Sequence, residues 1–135
     1  MGLLTELFIA PEKDAPSFDH RSGARFERER LGGLTNLEFE TLWAILEDVE
    51  WDAKKHALAQ VASTDASWTF RFPQGYVDRL LKLAAPERAR AAAAWAATEE
   101  ISASPSDVEP VITKLVSLAR RASSEGQGLF LWTAL

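Results

Sequence analysis

The sequence predicts an α+β fold: a mainly helical single domain over residues 1–135, with a small sheet built from strands near its two ends. Three observations carry that expectation. Leu129-Phe130-Leu131-Trp132-Thr133-Ala134-Leu135 is an apolar run of strand composition placed directly behind Gly126 and Gly128. Before it, Val108, Val111, Ile112, Leu115, Val116, Ala119 and Ala122 recur at steps of three and four, one broad apolar face of a helix. Residues 3–10 supply a second short apolar run. The alternative is an all-α bundle with a few extended edges. The C-terminal run argues against it, because an apolar extended segment needs cover from water and a neighbouring strand for its backbone.

Taken in order, residues 3–10 are rich in large apolar side chains and stop at Pro11, as a short strand or a first helical turn does, and the short length favours strand. Residues 11–23 mix Pro, Lys, Asp, Ser and His without an apolar period, which reads as loop. Residues 24–31 alternate charges around Phe26 and Leu31, the pattern of a solvent-facing edge strand, and Gly32-Gly33 interrupts any helix there. Thr35-Asn36-Leu37-Glu38 is a capping box. Behind it Phe39, Leu42, Trp43, Ile45, Leu46 and Val49 form the stripe of a helix reaching about Glu50. Trp51-Asp52 is a break, with Asp52 placed to cap a second short helix through Val61.

Residues 63–67 are polar loop and 68–72 an extended segment. Pro73-Gln74-Gly75 opens a helix holding Tyr76, Val77, Leu80, Leu81 and Leu83. Another starts at Ala85-Pro86 and runs through Ile101, and its eight alanines with Trp95 describe a thin helix packed close to a neighbour. Ser104-Pro105-Ser106-Asp107 begins the last helix. A Ser oxygen accepts from a free first-turn N–H, Pro105 lacks the donor that would go unsatisfied, and Asp107 suits the positive end of the dipole. Residues 3–10, 24–31 and 129–135 are expected to pair in one sheet with helices on one face.

With 47% apolar and 26% charged residues, the chain has globular composition and enough length for one core burying about two-thirds of its unfolded surface. Twenty acidic against 15 basic residues give a net charge of −5, which argues against nucleic acid and anionic membrane as partners. The absence of cysteine rules out disulfides, thiolate metal sites and thiol nucleophiles, and fits a reducing cytoplasm. Met1-Gly2-Leu3-Leu4-Thr5-Glu6 has neither a basic region nor the myristoylation pattern, and no run approaches the roughly 20 apolar residues of a membrane helix. The expectation is a cytoplasmic protein. No phosphate loop, nucleophile elbow, zinc-protease motif or calcium loop is present.

Glu47, Asp48, Glu50 and Asp52 form the densest acidic cluster, and residues 35–65 hold seven acids against two lysines. Such a surface attracts a basic protein partner, although a charge run is commonly just a solvated helix end. Trp51 and Trp68, at segment edges among polar neighbours, are candidate anchors, and a half-buried Trp closing the rim of the core is an equal reading of both. Asp52 and His56 lie four apart and would share a helical face, where they would suit a metal or an acid–base pair; two ligands without a third predict no metal site. His20 lies in an apparent loop. Glu99 and Glu100, two acids near a helix C-terminus, oppose its dipole, a local conflict that can mark a site.

In composition the chain resembles small acidic bacterial domains, toxin-immunity proteins among them. The expected function is therefore a non-enzymatic protein–protein interaction module, immunity-like in its concrete form. It would contact an unidentified, basic protein through Glu47, Asp48, Glu50, Trp51 and Asp52, with no cofactor and with a homodimer as a further option. The rival expectation is a small enzyme or ligand-binding domain whose pocket gathers His56, Asp52 and Glu99 or Glu100.

Overall fold

The computed structural model describes residues 4–17, 27–32, 34–98, 101 and 103–134. Within them lie five strands, β1 (Leu4–Ala10), β2 (Glu27–Gly32), β3 (Ala59–Ser63), β4 (Ser67–Arg71) and β5 (Gly128–Ala134). Four helices accompany them: α1 (Asn36–Leu46), α2 (Gln74–Leu81), α3 (Ala85–Ala96) and α4 (Pro105–Glu125). β5 is the hub. It pairs antiparallel with β1, from Leu4 opposite Ala134 to Ala10 opposite Gly128. On its other side it pairs antiparallel with β4, from Ser67 opposite Ala134 to Arg71 opposite Phe130. β2 and β3 add the edges, so the sheet runs β2-β1-β5-β4-β3 with every neighbour antiparallel. This is an α+β fold with strands from both ends of the chain in one sheet, and it excludes the all-α bundle.

Alternation along the strands divides the core in two. Leu7 and Ile9 of β1, Leu129 and Leu131 of β5 and Phe70 of β4 join the main cluster under the helices. There α4 lies over β1 and β5, with α2 and α3 packed against α4 and α1 against α3. The opposite face buries Phe8, Ala10, Phe130, Trp132 and Ala134 together with Ala15, which a 3-10 turn at Ala15–Ser17 delivers. Phe8 and Phe130 stack there with ring centroids 5.3 Å apart. Cover on both faces explains why β5 reads as an unbroken apolar run, the signature of a doubly buried strand.

The caps fall on the residues the sequence marks, but Ser104 donates its hydroxyl to Asp107 where the sequence predicts that it accepts a first-turn N–H. Thr35 Oγ1 accepts the Leu37 N–H at 3.2 Å and donates its own proton to the Glu38 carboxylate. At the start of α4 the Asp107 carboxylate accepts from both the N–H and the hydroxyl of Ser104. α1 is then locked by two bonds from aromatic side chains to its backbone: Tyr76 OH donates to the Phe39 carbonyl at 2.6 Å, and Trp95 Nε1 donates to the Glu38 carbonyl at 2.9 Å. Trp95, fully buried, therefore fixes the C-terminal half of α3 beside the N-terminal half of α1.

Four elements depart from expectation, the smallest departure being α2, which ends at Leu81 and leaves Leu83 outside the helix. The predicted helix from Asp52 through Val61 does not form. Asp52 caps one turn only, and β3 follows because β4 offers its backbone a ladder, closed by Thr64 N–H to the Ser67 carbonyl at 2.9 Å. α1 ends at Leu46, short of Glu50. α3 ends at Ala96 and not Ile101, with the Thr98 hydroxyl taking the Trp95 carbonyl at 2.7 Å.

Candidate functional site

The end of α1 creates the exposed loop on which most of the predicted contact residues lie. Asp48 adopts a left-handed conformation with φ of 56°. Its N–H reaches the Ile45 carbonyl and the Val49 N–H reaches the Ala44 carbonyl, each at 3.1 Å. That pair of bonds is a Schellman closure, built here on an aspartate where glycine is usual. Beyond it the chain stays outside: Val49 is 47% exposed and Trp51 46% exposed. Asp48, Glu50 and Asp52 are exposed beside them.

A second device closes the loop from below. The Asp52 carboxylate accepts the Lys54 and Lys55 N–H groups at 2.8 and 3.2 Å, and those bonds hold it below the usual carboxylate range. His56, with no exposed surface, accepts the Asp52 N–H on Nδ1 at 2.9 Å, so its proton sits on Nε2 and faces Glu47 Oε1 at 3.2 Å. Its ring meets Trp43 edge-on at 5.4 Å. His56 is thus a tie between the helix end and the next turn. Asp52 and His56 are neighbours, as their spacing suggested, but through a backbone N–H and not a shared helical face.

Next to this loop runs an open groove of about 740 Å³. One wall comes from Ile45 and Leu46 of α1 with Asp48, Val49 and Glu50; the other comes from α3, which turns Glu87, Arg90, Ala91 and Ala94 toward it. Arg79 of α2 lies at the joint. Its Nε donates to the Leu46 carbonyl at 2.8 Å and its Nη2 to Glu87 at 3.0 Å, so it caps α1 and braces α3 at once. The Arg79 bond, then the Ala84 N–H, lower the Glu87 carboxyl below its usual range.

Of the residues singled out by sequence, Asp48, Glu50, Trp51 and Asp52 share this loop in the open, while Glu47 is half-buried and bonded to His56. Glu99, Glu100 and His20 lie outside the described residues. His56 lines neither the groove nor the smaller cleft of about 330 Å³ between Arg71 and Gln127. Among the described residues, no three His, Asp or Glu side chains converge as metal ligands, and no helix is long and apolar enough to cross a membrane. Sequence reasoning missed Val49, Arg79, Arg90 and Ala94. The one available signal was the spacing of Glu87, Arg90, Ala91 and Ala94, which puts all four on one helical face. No protein-family model, curated protein or solved structure matches the chain.

Proposed function

We propose that this chain is a non-enzymatic protein-binding domain whose contact surface is the loop of residues 48–52. The observation that supports this most is the paired exposure of Val49 and Trp51 on a loop pinned at both ends. A half-exposed Trp on a pre-ordered backbone is a ready anchor, because little conformational freedom is lost when it is covered. Asp48, Glu50 and Asp52 frame it with carboxylates, and the net charge of −5 adds a long-range pull on a basic partner. Lys54 and Lys55 follow in the next turn, so the anchor and not the charge carries the reading. An inhibitor that masks a basic enzyme, in the manner of an immunity protein, is its concrete form.

The test is quantitative capture from the host with the wild-type chain, Trp51→Ala, the double variant Asp48→Lys with Glu50→Lys, and Glu109→Lys as an exposed control on α4. A specific partner should be lost with Trp51→Ala, whose truncation removes about 2 kcal/mol or more at a hot spot. Charge reversal should weaken it, and Glu109→Lys should retain it. Binding should also fall as salt rises past about 0.15 M. Undiminished capture by Trp51→Ala refutes the reading. A solution mass of twice 14.9 kDa that Trp51→Ala returns to 14.9 kDa would make the partner a second copy.

A further inference from the structure

The groove beside the loop has the shape and charge pattern to specify what kind of segment a partner presents. Its α3 wall is low, because Ala91 and Ala94 carry only methyl groups, and small residues let a second helix approach closely. Leu83 at the base, with Ile45 and Val49 on the opposite wall, continues the apolar lining. One wall is α3 and the other is the last turn of α1 with the loop behind it, and no strand of the sheet lines the groove, so it offers no sheet edge for an added strand. Arg79 is held on two sides and acts as a strut. That leaves the charges of Asp48 and Glu50 on one wall and, with Glu87 already bonded to Arg79, a surplus positive charge at Arg90 on the other, where Arg90 also acts on the Glu87 carboxylate one turn away.

We infer that this groove receives an amphipathic helix of the partner, with its apolar stripe laid against Ala91, Ala94, Ile45 and Val49. Lys or Arg on one of its flanks faces Asp48 and Glu50, and an acid on the other flank faces Arg90. Opposite charges on facing walls fix which way round the helix lies, which apolar contact alone does not do. The inference rests on the proposed protein-binding role and adds the class of segment bound.

A displayed library of amphipathic helical peptides, with apolar and flanking positions randomised, tests it against the full chain. Selected peptides should converge on apolar residues at i, i+3 or i+4 and i+7 with a basic and an acidic flank. Ala94→Trp fills the groove from an exposed position and should lower their affinity at least about tenfold. Ala93→Trp, exposed on the same helix but outside the lining, should leave affinity within about twofold, and thermal melts confirm that both variants fold. Asp48→Lys with Glu50→Lys should weaken basic-flanked peptides roughly twofold to fivefold per charge, and peptides with exchanged flank charges should recover the loss.

Equal binding to Ala94→Trp, or a selection that enriches no such helix, overturns the groove. Peptides that ignore Ala94→Trp but are lost with Trp51→Ala overturn the groove alone and keep the loop. Peptides blocked by Ala94→Trp but indifferent to Trp51→Ala uphold the groove and remove Trp51 as anchor.

Discussion

Replacing Gly126 with alanine and Asp48 with glycine perturbs one backbone device in opposite senses. Both residues close a helix by the Schellman pattern, Gly126 with φ of 67° after α4 and Asp48 with φ of 56° after α1. A Cβ at Gly126 meets nothing within 4 Å, so Gly126→Ala carries a backbone term alone. The left-handed conformation costs an L-residue about 1–2 kcal/mol, and the stiffer unfolded chain returns about 0.4–1 kcal/mol. The net is a loss of about 1 kcal/mol. Asp48→Gly runs the same sum backwards, and because aspartate tolerates this region better than most residues the gain is about 0.5–1 kcal/mol. Urea titration at constant m, with a Tm rise of about 2–4 °C, is the assay for Asp48→Gly. Asp48→Ala is the control, since it removes the carboxylate without freeing φ, and it should give no gain. The reasoning fails if glycine at position 48 stabilises no more than alanine does, or if Gly126→Ala leaves stability unchanged. Asp48→Gly also removes a carboxylate from the proposed contact, so a more stable domain that binds less tightly is the expected pairing.

Three further perturbations probe the supports of the site. His56→Ala strands the Asp52 N–H, vacates the packing against Trp43 and should cost about 2–4 kcal/mol, with amide exchange at Asp52 rising before global unfolding. Gly128→Ala sets a Cβ 2.8 Å from the Phe130 ring, which is stacked on Phe8 and cannot swing freely; a loss of about 1–2 kcal/mol in chemical denaturation is expected. Glu87 has a carboxyl lowered in the fold by Arg79, so the unfolded chain binds the proton more readily. Its contribution is therefore present above the ordinary carboxylate pKa and lost as pH falls through the lower folded value, and Glu87→Gln should flatten that part of the acid limb below about pH 4.5.

The last helix and strand are legible because their signals are local: the capping residues at Ser104 and Asp107, the three-and-four spacing behind them, and Gly126 at the end. The C-terminal end of α1 and the identity of β3 are not. Residues 59–63, Ala-Gln-Val-Ala-Ser, carry no alternation, and they are extended because β4 lies within reach, a tertiary fact. Asp52 does cap, as its type suggests, but a cap cannot reveal how many turns follow it. The exposed carboxylates and Trp51 are visible in composition. The role of His56 is hidden, because Glu47 and the Asp52 N–H meet its ring only after α1 has closed. The groove is hidden for a like reason, since it exists only once Trp95 has laid α3 along α1.

The placing of β5 between β1 and β4 has a consequence for biosynthesis. The ribosome makes residues 128–134 after every other strand of the sheet, yet they are its central rib. While they remain in the exit tunnel, β1 with β2 and β3 with β4 are two separate hairpins, each with one wet, unsatisfied edge that β5 later covers. The two joins close long loops, so loop-closure entropy slows assembly, which waits for β5 to emerge. A nascent chain stalled before Gly128 would expose two sticky edges at once, the state in which this domain most needs a chaperone.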